Sequence, residues 1–137
     1  MMTQTKTRRL LLIEDHLWFR QALALFLDGE PDLHVVAQAG TLAECRDGLL
    51  DGGLEDVDVA VIDLTLPDGD GTELIHWLRD YAPHVAVLVL TVSMETDKYD
   101  LALRAGAEEV ISKSESIEGI LAAIRRLTVS PAVSRSM

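Results

Sequence analysis

Four largely apolar runs of this sequence each end in residues that could do chemistry. Those residues are Glu14 and Asp15, then Asp63, Thr91 and Lys113. Short apolar runs of this kind are typical of buried strands, and an open parallel sheet binds its ligands at the carboxyl ends of its strands. The spacing therefore predicts one small pocket that gathers three carboxylates, one hydroxyl and one ammonium. Such a set can hold a divalent cation and a phosphoryl group.

The elements that must position these residues follow from an alternation of apolar runs with helix-length amphipathic stretches. The predicted strands are residues 9–13, 33–39, 57–62, 85–90 and 109–112. The predicted helices are residues 16–28, 41–50, 73–81, 96–105 and 116–127. This alternation favours βα units around a parallel sheet. We expect an α/β fold of the flavodoxin-like (βα)5 type, with three layers and a five-stranded parallel sheet of order 2-1-3-4-5.

The predicted helices have recognisable faces and boundaries. In the first helix, Phe19, Ala22, Leu23, Phe26 and Leu27 fall on one face at helical spacing, and we expect that face to be buried. The second helix has a hydroxyl residue at position 41 that can cap its N-terminus. These two helices therefore have signals that are independent of the strands beside them.

Composition limits the classes of function. The chain has 137 residues, of which 48% are hydrophobic, so it can form one domain with a substantial core. The formal net charge of −11 repels nucleic-acid phosphates, so we expect no direct nucleic-acid binding. No apolar run is long enough to span a membrane. Cys45 is the single cysteine, which excludes an intrachain disulfide, and we expect this residue to be a small buried hydrophobe in a cytoplasmic protein.

The carboxylates suggest a metal ion and a reaction. Carboxylates that share a pocket repel one another, and a bound divalent cation such as Mg²⁺ removes that cost. Asp63 can act as a nucleophile, because carboxylates form aspartyl phosphates. Lys113 and the cation could then neutralise charge on the transferring group. Taken singly, a strand-end acid can be a solvated loop residue, Lys113 a surface lysine, and Thr91 a strand-terminal residue with a satisfied backbone.

Four motifs agree in order and spacing with a known family. They are LLIEDH at 11–16, VIDLTLPDGDG at 61–71, VLT at 89–91 and RAGAEEVISK at 104–113. Through these motifs, residues 9–127 resemble the receiver domain of two-component response regulators. Residues 1–8 are then expected to be a flexible N-terminus, and residues 128–137 a tail or the start of a linker.

The resemblance implies a phosphoacceptor and a metal site. Asp63 would take a phosphoryl group from a phosphohistidine on a sensor histidine kinase. Glu14, Asp15 and Asp63 would hold Mg²⁺ together with the backbone carbonyl of Thr65. The domain would not be an enzyme in the ordinary sense, although the resemblance allows it to catalyse its own dephosphorylation.

The resemblance also implies how the phosphoryl group is sensed. Lys113 would pair with the phosphoryl oxygens. Thr91 would move toward them and shift the surface formed by the fourth helix, the fifth strand and the fifth helix, through which a homodimer could form. Thr65 and Ser93 would border the phosphoryl group, and because both are small and polar we expect its hydrolysis not to be strongly blocked.

Two segments are most similar to receivers of the NarL/LuxR class: Asp15-His16 and residues 113–116. Those receivers usually precede a helix-turn-helix domain, so the expected output is control of transcription through an effector domain absent from this chain. The alternative is a standalone receiver that acts as a phosphorelay or protein-interaction module.

The sequence departs from the common receiver pattern. Val110 stands where most receivers have a Tyr or Phe, three residues before the lysine, and Ser114 stands where Pro is frequent. The usual coupling of Thr91 to a rotating aromatic ring is therefore not expected here. Tyr99 on the fourth helix could substitute, or it could be a packed helix residue.

Two other functions use related chemistry or a related fold. A phosphohydrolase of the haloacid dehalogenase type needs a second Asp two residues after its nucleophile, and Thr65 occupies that position. A flavodoxin that binds FMN needs a phosphate-binding loop after the first strand. Here the loop begins Glu14-Asp15-His16, which would repel phosphate without a metal.

Overall fold

Five apolar strands form the centre of the computed structural model, which describes residues 7–49, 54–92 and 96–129. Their bounds are β1 Arg8–Ile13, β2 Leu33–Ala39, β3 Val59–Asp63, β4 Ala86–Thr91 and β5 Glu109–Ser112. All neighbouring pairs are parallel, in the order β2-β1-β3-β4-β5. The predicted flavodoxin-like fold and sheet order are confirmed. Every residue of β3 and β4 is buried, as expected for central strands covered on both faces.

Five helices within the described residues cover the two faces of this sheet. They are α1 Leu17–Asp28, α2 Leu42–Leu49, α3 Gly71–Tyr81, α4 Thr96–Ala105 and α5 Ile117–Val129. One apolar cluster joins the sheet to α1 and α5, and the other joins it to α2, α3 and α4. Both clusters are mainly aliphatic, so the three-layer arrangement rests on packed Leu, Ile, Val and Ala side chains.

The segment between β3 and α3 contains regular structure of its own. Thr65–Leu66 pairs antiparallel with Gly69–Asp70, so a short two-stranded ribbon lies outside the main sheet. The helix that follows begins at Gly71 rather than at residue 73. Asp70 is its N-cap and forms a reciprocal capping box with Glu73, which satisfies backbone N–H groups of the first turn.

The predicted buried face of α1 is partly wrong. Leu23 and Leu27 are buried as expected, but the third buried residue is Ala24, while Ala22 and Phe26 are exposed. The reason is that α5 lies on the same side of the sheet and packs beside α1. Ala22 and Phe26 face a groove toward α5 instead of the strands.

Other predictions about single residues are confirmed. The hydroxyl of Thr41 accepts a hydrogen bond from the Glu44 N–H at the start of α2. Cys45 is buried, and burial raises the pKa of its thiol to about 12, so this thiol stays protonated.

The predicted domain division includes residues at both ends of the chain that the structure does not describe. Helix α5 continues to Val129, two residues beyond its predicted end. Residues 1–6 and 130–137 lie outside the described residues, so the flexible N-terminus and the tail stay predictions. Within the described ranges, no helix is both long and apolar enough to cross a bilayer.

Candidate functional site

Three carboxylates meet at the carboxyl edge of the sheet. One ligand oxygen from each of Glu14, Asp15 and Asp63 lies within 4.8 Å of the others. The register explains this, because Ile13 pairs with Ile62 in the adjacent parallel strands and the residues that follow them emerge side by side. Glu14 and Asp63 are buried, with 2% and 6% exposure, while Asp15 is exposed. The predicted acidic cluster is therefore formed.

Lys113 lies between two of these carboxylates. Its Nζ is 2.6 Å from Glu14 Oε1 and 3.0 Å from Asp63 Oδ2, and the side chain is 15% exposed. Burial by itself would lower the pKa of Lys113, but hydrogen bonds to Glu14 and Asp63 and the attraction of both charges raise it. The ammonium therefore stays charged beside the two buried carboxylates.

Glu14 is tied to the site through both of its carboxylate oxygens. Oε1 accepts from Lys113, and Oε2 accepts a hydrogen bond from the His16 N–H at 2.9 Å. Burial raises the pKa of Glu14, and these two hydrogen bonds oppose that rise. His16 itself is the N-cap of α1, with Nδ1 accepting from the Phe19 N–H, so it serves a local structural purpose.

Thr91 ends β4 directly beside β5. It is 4% exposed and pairs with Ser112, and its backbone carbonyl accepts a hydrogen bond from the Lys113 N–H at 2.9 Å. The strand ends that carry the hydroxyl and the ammonium are therefore joined through the backbone. Ser93, which we expected to border the phosphoryl group, lies outside the described residues.

The loop after Asp63 is held close to its carboxylate. Thr65 N–H donates to Asp63 Oδ1 at 3.1 Å, and Gly71 N–H donates to the Leu64 carbonyl at 2.7 Å. A Cβ on Gly71 would lie 2.7 Å from the Asp63 carbonyl oxygen and 2.8 Å from Leu64 Cα. Glycine is therefore required here for close backbone approach. This contact was not predicted from the sequence.

Asp68 anchors the same loop to α2. Its two carboxylate oxygens accept from the Leu42 and Ala43 N–H groups, at 2.8 and 3.0 Å. These hydrogen bonds from the helix N-terminus lower the pKa of Asp68. Sequence reasoning missed this cap, because the helix it caps lies 26 residues earlier in the chain.

Two aromatic side chains bear on the site in different ways. The Lys113 ammonium lies 5.2 Å from the centre of the Phe19 ring, within the range of a cation–π interaction. Tyr99 is half-buried and packs against the apolar cluster that contains Val110, which supports its interpretation as a packed helix residue. Val110 stands where most receivers have a Tyr or Phe. It is 5% exposed and is an aliphatic core residue.

The donor set fits Mg²⁺, which prefers carboxylate and carbonyl oxygens and binds proteins through one or two carboxylates while keeping several waters. Glu14, Asp15 and Asp63 offer such oxygens within a few ångströms of one another. The same site provides one charged donor, Lys113, for an anionic group. The arrangement can therefore accept a cation and a phosphoryl group at the same strand ends.

Residues 10–125 match the family of the response regulator receiver domain. This chain belongs to that family. The transcriptional regulatory protein UhpA of Salmonella typhimurium is 38% identical over 113 residues, which are 82% of this chain and 55% of that protein. The transcriptional activator DevR/DosR of Mycobacterium tuberculosis is 34% identical over 105 residues, or 77% of this chain and 47% of that protein. The chain thus spans about half the length of the curated relatives it matches.

Solved receivers have the same fold. A LuxR-family two-component response regulator from Aurantimonas superposes with a TM-score of 0.81 at 26% identity, over 90% of this chain and 86% of the other. The receiver domain of a NarL regulator from Mycobacterium tuberculosis gives 0.82 over 91% and 98%, and at 23% identity it supports the fold alone. The predicted receiver family and its likeness to the NarL/LuxR class are confirmed. The comparisons therefore favour a receiver over a haloacid dehalogenase or a flavodoxin.

Proposed function

We propose that Asp63 is the phosphoacceptor of this receiver and that it takes its phosphoryl group from a sensor histidine kinase. The observation that carries the proposal is the position of the Asp63 carboxylate, buried at the end of β3, close to two further acids and 3.0 Å from the Lys113 ammonium. In the transfer, a carboxylate oxygen of Asp63 forms a bond to phosphorus while the phosphorus–nitrogen bond of phosphohistidine breaks. The kinase imidazole is the leaving group, and an acyl phosphate is formed.

The other site residues have distinct roles in this proposal. Glu14, Asp15, Asp63 and the backbone carbonyl of Thr65 would hold Mg²⁺, which when bound offsets negative charge on the transferring phosphoryl group. Lys113 would release Glu14 and pair with a phosphoryl oxygen. Its raised pKa supports this role, because the ammonium remains charged throughout the neutral range.

The response to phosphorylation would involve Thr91 and the surface of α4, β5 and α5. The hydrogen bond from Lys113 N–H to the Thr91 carbonyl supports coupled movement of these two strand ends. On this surface Leu103 is 37% exposed and Leu101 is 52% exposed, so apolar area is available for a partner. We infer that a second phosphorylated copy binds there.

A direct experiment tests the phosphoacceptor. The protein is incubated with acetyl phosphate and Mg²⁺ and its intact mass is recorded. We expect the addition of one labile phosphoryl group, absent in Asp63→Asn and retained in Asp80→Asn, which removes an exposed aspartate from the last turn of α3. The proposal is wrong if Asp63→Asn is still phosphorylated, or if the wild type accepts no phosphate from either acetyl phosphate or a competent kinase.

We further propose that phosphorylation controls transcription through an effector domain. Support comes from relatives named as transcriptional regulators, of which this chain matches about half. The test is to place Asp63→Asn in the complete gene product and compare transcripts with and without the kinase stimulus. Loss of a defined set of stimulus-dependent transcripts is expected. An unchanged transcript profile would favour the alternative of a phosphorelay or protein-interaction module.

A further inference from the structure

Arg20 reaches back from α1 to the loop that carries two of the acids. Its Nη1 donates to the backbone carbonyl of Glu14 at 2.8 Å. The Glu14 N–H in turn donates to the Ala39 carbonyl at 2.9 Å, at the end of β2. Both peptide groups that flank the Glu14 Cα are therefore fixed, one by the neighbouring strand and one by a charged side chain.

Gly40 makes room for the guanidinium. A Cβ at this buried position would lie 2.6 Å from Arg20 Nη1, closer than real side chains approach. The Gly40 N–H is itself held by Glu44 Oε1 at 2.7 Å, so the backbone here is not free to retreat. The guanidinium thus lies in a space bounded by the loops after β1 and β2.

Hydrogen bonding alone does not explain why the Arg20 side chain is held in this space. Arg20 Nε is buried, and it has no hydrogen-bond partner in the described part of the chain. Each buried unsatisfied donor in a native structure requires a reason. The contact that the side chain does make is with the carbonyl between Glu14 and Asp15, which supports a role in setting the geometry of those acids.

Asp15 depends on that geometry more than its neighbours do. Its side chain is exposed, and within residues 7–49, 54–92 and 96–129 no hydrogen bond or ion pair holds it. Glu14, in contrast, is held by Lys113 and by the His16 N–H. The direction of Asp15 toward the site is therefore set by the backbone that Arg20 fixes.

We propose that Arg20 is a positioning residue for Mg²⁺ binding: it clamps the Glu14 carbonyl across the space left by Gly40 and so holds Asp15 in place for the metal. The proposal rests on the proposed function, since it assumes that these acids bind Mg²⁺. A guanidinium suits the task because its planar donors have a fixed geometry, whereas an ammonium is a compact point charge on a flexible stem.

The test is a calorimetric titration of Mg²⁺ into the folded protein and four variants. Residues that orient metal ligands typically change metal affinity by about 10- to 100-fold when mutated, and we expect Arg20→Met to weaken Mg²⁺ binding by about tenfold or more. Arg20→Lys should restore part of that loss. Gly40→Ala should weaken binding similarly, because its methyl group displaces the same guanidinium. Arg46→Met is the matched control, since Arg46 also has a buried Nε without a hydrogen-bond partner among the described residues but lies on α2.

A double variant separates positioning from general stability. Arg20→Met and Gly40→Ala act on one contact, so their effects on Mg²⁺ affinity should be far from additive in the combined protein. Urea unfolding of each variant shows whether the titrated sample is folded. If folded Arg20→Met and Gly40→Ala lose stability but bind Mg²⁺ like the wild type, Arg20 is merely structural and the inference is overturned.

The same measurements distinguish a failure of the Arg20 role from a failure of the proposed function. Wild type that neither binds Mg²⁺ nor becomes phosphorylated on Asp63 contradicts both. Wild type that binds Mg²⁺ and accepts phosphate, together with an Arg20→Met protein of unchanged Mg²⁺ affinity, contradicts the role of Arg20 alone.

Discussion

The Lys113 ammonium lies 2.6 Å from Glu14 Oε1, so the cation that would pair with a phosphoryl oxygen is also an ion-pair partner of a proposed metal ligand. The same ammonium binds Asp63 Oδ2 at 3.0 Å. Lys113 therefore competes with a metal for two carboxylates. This competition leads to the first prediction.

Lys113→Met should bind Mg²⁺ about three- to tenfold more tightly, because the substitution removes the cation that competes with the metal for Glu14 and Asp63. The variant should nevertheless lose the response to phosphorylation. Titration calorimetry measures the first effect, and phosphorylation-dependent self-association measures the second. Lys98→Met, which removes an exposed lysine of α4, should match the wild type in Mg²⁺ affinity. Equal loss of metal binding and signalling in Lys113→Met would disprove this assignment.

Gly71→Ala should disturb the Asp63 loop. The added Cβ would meet the Asp63 carbonyl and Leu64 Cα, which are backbone atoms and cannot swing away. We expect a loss of about 1–3 kcal/mol in the free energy of unfolding and slower phosphorylation by acetyl phosphate. Gly48→Ala is the control, because nothing lies within 4 Å of its Cβ position in α2. It should gain about 0.5–1 kcal/mol, and a Gly71→Ala protein as stable as that control would contradict the packing argument.

The acid stability of the fold should depend on Asp32. Arg125 donates to both carboxylate oxygens of Asp32, and these hydrogen bonds hold the pKa of Asp32 below its ordinary value of 3.8. The ionised carboxylate therefore stabilises the folded state above this value, and the contribution is lost as pH falls through the lower folded-state pKa.

Urea unfolding of Asp32→Asn measures this contribution. The variant should be less stable than the wild type near neutral pH. The difference between their free energies of unfolding should shrink as the pH falls below 3.8. Arg125→Met, which removes the other partner, should show the same narrowing. If the difference in the free energy of unfolding stays constant down to the acid transition, the charge of Asp32 does not contribute to the stability of the fold.

Self-association should depend on the apolar surface of α4. If phosphorylated copies pair through α4, β5 and α5, Leu103→Ser should weaken the dimer by about tenfold, or ~1.4 kcal/mol, as measured by sedimentation. Leu25→Ser is the control, because Leu25 is 75% exposed but lies on α1. A dimer weakened by Leu25→Ser and unaffected by Leu103→Ser would move the interface to α1.

Much of the site could be predicted because each residue lies at the end of an apolar run. The rule that parallel strands share one carboxyl edge placed Asp63, Thr91 and Lys113 together, and the strand register confirms that their strands are neighbours. The roles of Thr91 and Lys113 came mainly from the resemblance to receivers. The buried face of α1 was less predictable. Phe26 has the spacing of a core residue, yet it is 58% exposed, because the helix also borders α5 and not the sheet alone.

The sequence by itself determined the order of the elements and the acids that end the apolar runs. These depend on local periodicity and on where apolar runs stop. The tertiary structure decided which residues hold the carboxyl edge of the sheet in place: Arg20 on the Glu14 carbonyl, Gly71 against the Asp63 backbone, and Asp68 on the N-terminus of α2. Those contacts depend on backbone atoms brought together by folding, and backbone atoms are identical in every sequence, so residue types and spacing give no sign of them.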